Sequence, residues 1–439
     1  MQRPAPSLPS SIPKTSRTSE TSRTTGISRT TGISRRRMVA AGTALAAGLA
    51  VTAAAPAPAA SPAAKSPRRV PGDDQPPVRL VLPRPSGPHR LGTVALHFSD
   101  RSRRDPWVAA RPVRELMVQL WYPARAAVGL PRAPWMTRQA AEVFQQTGYL
   151  LPQYATLPDT HARTGAAADP RGGRRPVILY SHGHGQHRSS SMALVEELAS
   201  HGYIVVTIDH TYDAGQVEFP GGRVEKYAMP PLTDEDDDPT ILKAVDVRVA
   251  DTRFVLEELS RRVRGRRDPL PHGLGDVLDL SRTAMFGHSL GGATAASAMA
   301  AGVPIAAGAN LDGSLFGPVV AEGLRKPFLL MSEDADNNPS WSEIWPRLRG
   351  WRRRLRLTGT RHFSYTDYET FLPQVADRLG ATDEQLAEVV GPLDGMRAIE
   401  IQRRFLLAFF DLHLRGRRAP ILDGPSPRYP EVRFTGGAG

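Results

Sequence analysis

Apolar and polar positions change rhythm along this chain. From Val78, the short runs VRLVL, GTVALHFSD and ELMVQLWYP stand between Gly, Pro and Asp and predict antiparallel strands. Residues 125–175 lose that rhythm. They are proline-rich, with one helical stretch, TRQAAEVFQQ, and predict an insertion of the lid or binding-loop kind. From residue 175 strands and helices alternate. RPVILYSHG predicts a strand, SSSMALVEELASHG a helix closing at Gly202, and YIVVTIDH a strand. The long stretch ILKAVDVRVADTRFVLEELSRRV has apolar residues three and four apart, as an amphipathic helix does. RTAMFGHS predicts a strand running into the small-residue helix GGATAASAMAAG. PIAAGANLD, KPFLLMSED and RRLRLTGT predict further strands, and GMRAIEIQRRFLLAFFDLHLRG a closing helix. Strands that are apolar at consecutive positions must be covered on both faces. The pattern therefore predicts an α/β fold: a mostly parallel central sheet with helices on both faces and antiparallel strands at its N-terminal edge. In such sheets chemistry gathers at the carboxyl ends of the strands. Residues 421–439 read as a C-terminal tail.

The segment before Val78 has another character. Ser34-Arg35-Arg36-Arg37-Met38-Val39 is a twin-arginine pattern, followed by the weakly apolar MVAAGTALAAGLAVTAAA. Ala57-Pro58-Ala59 then offers a small-residue cleavage site. Residues 1–59 are read as an export signal handled by the twin-arginine machinery, and 60–77 as a Pro/Ala-rich linker, so the mature protein is expected outside the cell. No apolar run is long and bulky enough to span a bilayer. Charge supports the division. The first 37 residues hold eight Lys/Arg and one Glu, so +7 of the net +12 lies there and +5 remains for the rest. No basic cluster interleaved with aromatics suggests nucleic-acid binding. The absence of cysteine excludes disulfides, cysteine-based zinc sites and a cysteine nucleophile.

The candidate chemistry starts at Gly287-His288-Ser289-Leu290-Gly291-Gly292, between the apolar run AMF and a helix of small residues. A nucleophile elbow needs a tight strand-to-helix turn, with Gly287 and Gly291 flanking a strained serine. Ser289 is the candidate nucleophile, and the helix N-terminus behind it favours developing negative charge. A serine needs a base, and the base an orienting acid. Downstream lie only His362, in the loop LTGTRHFSYTD, and His413, near the end of the closing helix; His362 is the better placed. Asp312 ends one strand, and Asp334 and Asp336 end the next; any of these strand ends can reach the base. The acidic run Asp234 to Asp238 reads as a solvated turn and helix start, with a calcium site as the alternative. Three histidines, His182, His184 and His187, crowd the turn LYSHGHGQH. A metal site there is the rival reading, although the segment lacks cysteine and an HExxH pattern.

Taken together, GPHRLGTVALHFSDRSR, RELMVQLWYPA, LYSHGHGQHR, ASHGYIVVTIDH, GHSLGGATA, NLDGSLF and GTRHFSYTD resemble the platelet-activating factor acetylhydrolase family of α/β-hydrolases in its secreted bacterial branch. The resemblance runs from about residue 78 to 416 and implies a hydrolase domain over 78–420. It implies Ser289 as nucleophile, His362 as base and Asp312 as acid, with Asp334 the alternative acid. It also implies an oxyanion hole from the backbone N–H groups of His184 and Leu290, and no metal or cofactor. His184 departs from the apolar residue of the family's vertebrate members. Because the contact there is through backbone, activity should survive. The implied substrates are short-acyl esters, including acetylated or oxidised phospholipids, with transient lipid-surface contact. The same pattern covers general carboxylesterases and resembles dienelactone-hydrolase-like and polyester-cleaving enzymes. A non-catalytic lipid- or cell-wall-binding relative is a further alternative, against which a full triad argues.

Overall fold

The computed structural model describes residues 76–147, 150–232, 238–265, 270, 273–335 and 338–436. The twin-arginine segment, the linker up to residue 75, Asp234 to Asp237 of the acidic run and Asp336 lie outside them. Among the described residues the central sheet has eleven strands. In chain order they are β1 (Leu91–Asp100), β2 (Arg114–Pro123), β3 (Arg132–Pro134), β4 (Asp159–Thr164), β5 (Arg175–Ser181), β6 (Ile204–Asp209), β7 (Leu278–His288), β8 (Ala307–Leu311), β9 (Phe328–Ser332), β10 (Arg352–Leu357) and β11 (Val432–Phe434). Across the sheet they run β11-β10-β9-β8-β7-β5-β6-β2-β1-β4-β3. The six strands from β10 to β6 are parallel. The strands β2 and β1 join them antiparallel on the N-terminal side, as the sequence pattern predicts.

Every residue of β5 and β6 is buried, and alternation decides which layer each side chain enters. Ile178, Tyr180 and Val205 face the helices α2 (Met192–Ser200), α5 (Tyr368–Leu379) and α6 (Gly395–Arg415). Val177, Leu179, Ile204 and Val206 face α3 (Pro239–Val263) and α4 (Leu290–Ala300) on the other side. Asp238, the described end of the acidic run, caps α3 by accepting from the Thr240 and Ile241 amides at 2.6 and 3.4 Å, with Pro239 at the first helical position. Among the described residues no helix is long and apolar enough to cross a membrane.

Three regions differ from the sequence reading. Only Val78–Arg79 of VRLVL forms a strand, paired with Ala155–Thr156 in a separate two-stranded sheet. The side chain of Gln374 takes both backbone groups of Val81, at 2.8 and 2.9 Å, so no strand partner is needed there. The stretch 125–175 is not wholly irregular, because it supplies β3 and β4 to the sheet edge, with α1 (Arg138–Thr147) between them. Its strand DTHART is half-buried and polar, which hides it from an apolar-run criterion. The C-terminal stretch is not a loose tail either. It adds β11 antiparallel to β10 and buries Leu422, Tyr429 and Val432.

Candidate active site

β7 ends at His288 and α4 begins at Leu290, so Ser289 alone makes the turn, at φ 53° and ψ −125°. Non-glycine residues avoid this backbone region unless the surroundings hold them there. Here they do. The Ser289 amide donates to the Leu311 carbonyl at 2.9 Å. A Cβ on Gly287 would stand 2.2 Å from the Gly291 carbonyl carbon, and one on Gly291 would stand 1.9 Å from the Ser181 oxygen. The two glycines are required by contact, and that contact presses the end of β5 against the start of α4.

Asp312 follows β8 in a left-handed conformation, φ 56°, with its amide bonded to Met331 at 2.8 Å. Its Oδ1 accepts from the Glu333 amide at 2.9 Å, and its Oδ2 lies 2.6 Å from Nδ1 of His362. The next residue, Gly313, abuts Ser289: a Cβ there would lie 2.0 Å from the Ser289 carbonyl oxygen. Burial disfavours the His362 cation, but the hydrogen bond and charge of Asp312, with the charge of Glu333, outweigh it and raise the imidazole above its ordinary value. Glu333 is itself raised, to about 7, by burial and by the charge of Asp312. Nδ1 is committed to the carboxylate, so Nε2 remains for proton transfer.

The structure does not bring the other candidates to this point. Asp334 accepts from the Gly359 amide at 3.1 Å and lies 3.9 Å from Nε of Arg356. His413 packs edge-on against Trp351 and Phe409 at 4.7 and 4.9 Å, and burial lowers it to about 4.

The histidine turn separates its three imidazoles. His182 is fully buried, with Nδ1 2.7 Å from the Gly183 carbonyl, and Nε2 accepts from the His210 amide at 3.3 Å. Burial and the Arg248 charge hold it well below its ordinary value, in the neutral form that this donor–acceptor pattern requires. The ring of His184 turns away to the Tyr227 hydroxyl at 2.9 Å. His187 packs edge-on to Trp135 and Phe144, lowered to about 3 by burial and Arg188. His182 and His187 are both buried. Among the described residues no group of three or more His, Asp or Glu is placed to hold a metal ion.

Sequence reasoning missed the groups that hold this turn. Arg248 of α3, fully buried, grips both carboxylate oxygens of Asp213 at 2.6 Å. It also donates to the carbonyls of His182 and Gly183, the latter at 3.4 Å. The Gly183 carbonyl belongs to the same planar peptide as the His184 N–H. Fixing that oxygen with the His182 ring and Arg248 fixes the direction of the N–H. On the other side, His288 Nε2 reaches the His362 carbonyl at 2.9 Å, tying the elbow to the loop of the base. Their rings lie 4.5 Å apart. Asp367, also unforeseen, is buried, accepts from the first two amides of α2 at 2.8 and 2.9 Å and from the Trp135 indole at 2.7 Å. Burial raises it to about 7. Beyond the turn, a cavity of about 150 Å³ is lined by Trp135, Met136 and Ala140 of the 125–175 stretch with His187, Arg188 and Glu218.

A family model described as "Platelet-activating factor acetylhydrolase, isoform II" matches residues 79–219 and 271–418. A "Probable 1-alkyl-2-acetylglycerophosphocholine esterase" of Arthroderma benhamiae is 28% identical over 386 residues, covering 82% of this chain and 94% of its own. A "Platelet-activating factor acetylhydrolase" of Gallus gallus is 24% identical, covering 79% and 88%. Among solved structures, a ferulic acid esterase from Streptomyces cinnamoneus is 37% identical, with a TM-score of 0.67, covering 80% of this chain and 98% of its own.

Proposed function

Since the chain is a carboxylic ester hydrolase belonging to the platelet-activating factor acetylhydrolase, isoform II, family, we propose that Ser289, His362 and Asp312 are its catalytic triad. The observation that carries this is the 2.6 Å contact of His362 Nδ1 with Asp312, in a pair joined to the strained Ser289 turn through its neighbours Gly313 and His288. His362 Nε2 takes the Ser289 proton as Oγ attacks the ester carbonyl. The N–H groups of Leu290 and His184 stabilise the resulting oxyanion. Collapse expels the alcohol, which receives the proton from His362, leaving an acyl-serine. Water, deprotonated by His362, then releases the carboxylic acid and restores Ser289. Asp312 holds the imidazole in the productive tautomer and stabilises its cation throughout. No step calls on a metal or cofactor.

The substrates are short-acyl esters, with acetylated phospholipids favoured by the names of the family and the fungal and avian relatives. A second reading, an aromatic acyl ester of the ferulate type, is favoured by the 37% identical solved structure. The protein is exported through the twin-arginine segment and acts outside the cell, with transient lipid-surface contact through the 125–175 stretch. Purified protein given p-nitrophenyl acetate, longer acyl homologues, an acetylated phospholipid and methyl ferulate tests the substrate side. Preference for the acetyl compounds is the expected result; preference for methyl ferulate would replace it with the aromatic reading. Replacing Arg35, Arg36 and Arg37 together with lysine should retain the protein inside the cell, and unchanged secretion would refute the export route.

A further inference from the structure

The amino-terminal end of the central strands, opposite the triad, carries a feature that ester hydrolysis does not use. A cavity of about 440 Å³ opens there among six arginines: Arg171, Arg174, Arg175, Arg282, Arg415 and Arg417. Arg175 begins β5, whose last residue, Ser181, touches the elbow. Six residues of strand at about 3.3 Å each separate the two ends by about 20 Å. Arg282 lies in the first half of β7, again remote from Ser289.

Three carboxylates engage four of these arginines. Asp169 forks Arg171 at 2.9 Å, Asp279 binds Arg282 at 2.6 Å, and Asp411 is shared by Arg415 at 2.9 Å and Arg417 at 3.4 Å. Among the described residues Arg174 reaches only the Leu278 carbonyl, at 2.8 and 3.2 Å, and Arg175 hydrogen-bonds only to carbonyls, of Arg171 at 2.6 Å, Asp169 at 3.4 Å and Gly202 at 3.5 Å. It is 6% exposed, and its Nε has no partner. The charge of the Asp169 carboxylate reaches Arg175, but that carboxylate is already forked to Arg171, and burial with the Arg415 cation leaves the Arg175 guanidinium in an unfavourable setting. An anion in the cavity would relieve it. Guanidinium groups present paired N–H donors that match the oxygens of phosphate and carboxylate alike, and several cations around one cavity favour a multiply charged anion.

We propose that this arginine-lined cavity is a binding site for a multiply charged phosphate-type oxyanion, either free phosphate or a phosphate monoester headgroup. The site is separate from the triad and goes beyond the hydrolytic activity. Isothermal titration of the full chain with sodium phosphate, against sodium chloride at matched ionic strength, should show saturable 1:1 binding of phosphate alone. Arg174→Gln combined with Arg417→Gln removes two cations from the wall without touching the buried Arg175, and should weaken phosphate binding by about tenfold or more. Turnover of p-nitrophenyl acetate should stay unchanged. Sedimentation with phosphatidylcholine vesicles, with and without phosphatidate, separates the two sources. Variant-sensitive sedimentation with phosphatidate supports the headgroup, and binding of soluble phosphate alone supports the free anion. If phosphate behaves like chloride at equal ionic strength, or if the double variant binds phosphate as the parent does, the proposal is overturned.

Discussion

Two histidine-bearing segments flank Ser289, and their differences explain the site. The loop after β10 gives His362 a carboxylate at 2.6 Å, and its imidazole is raised. The turn after β5 gives His182 a carbonyl and an amide, next to the Arg248 cation, and its imidazole is held well below its ordinary value. The same side chain is therefore the proposed proton carrier in one segment and a fixed neutral hydrogen-bonding group in the other. Partner charge decides between them, since both rings are largely withdrawn from water. On the proposed mechanism the side chain performs the chemistry in the first segment, and in the second the backbone does, with the side chains holding it in place.

Substitutions can break this contrast, and their effects should fall in order. His362→Ala removes the base and should lower kcat by roughly 10⁴-fold or more, measured with p-nitrophenyl acetate on folded protein. Asp312→Asn leaves the ring without its charged orienting partner and should cost about 10³–10⁴-fold. Asp334→Asn should change the rate less than about twofold, because its carboxylate serves Gly359 and Arg356 instead; equal losses at the two positions would contradict the assignment of the acid. In the other segment, His184→Pro deletes the N–H and should cost about 10²–10³-fold.

Arg248 tests whether the clamped peptide matters. Arg248→Met alone strands the buried Asp213 charge and should destabilise the fold by about 3–5 kcal/mol. The pair Arg248→Met with Asp213→Asn removes that charge and should regain stability in thermal unfolding. Its kcat should nevertheless stay about tenfold or more below the parent, with KM nearly unchanged, because a loosened oxyanion donor acts on the transition state. Full recovery of kcat in the pair would show that Arg248 serves stability only.

A smaller effect should appear in pH profiles. His362 must be neutral to accept the proton, and its folded value is raised above 6.5. The rate kcat/KM should therefore fall as pH drops through a value above 6.5. In Asp312→Asn the remaining activity should have its acid limb at lower pH, since the group that raises the imidazole is neutralised; a limb that stays in place would separate Asp312 from the base. His184→Leu should have the smallest effect, within a fewfold of the parent. It deletes one partly buried hydrogen bond to Tyr227, worth about 1 kcal/mol, and leaves the amide intact.

The parallel core could be read from the chain because its central strands β5, β6, β8 and β9 are apolar over most of their length; β10, with four arginines in six residues, is the exception. The elbow could be read because Gly287 and Gly291 stand where contact forbids a Cβ. The choice between Asp312 and Asp334 turned on which strand end meets His362, which residue spacing does not encode. The edges escaped for a different reason. β4 is polar and half-buried, and β11 is three residues long, so neither produces an apolar run. Arg248 could have been found. Ile241, Val245, Arg248, Thr252, Val255 and Leu259 recur at helical spacing, placing a cation on the buried stripe of α3. A charge on such a stripe asks for a partner, and here the partners are Asp213 and the histidine turn.

On the proposed mechanism His362 activates Ser289 for attack on an ester carbonyl. Labelling with a fluorophosphonate probe, followed by peptide mass spectrometry, tests it most directly. A single adduct on Ser289 is predicted, absent in Ser289→Ala and slowed at least about a hundredfold in His362→Ala. An adduct on another residue, or labelling of Ser289 at the parent rate without His362, would contradict it.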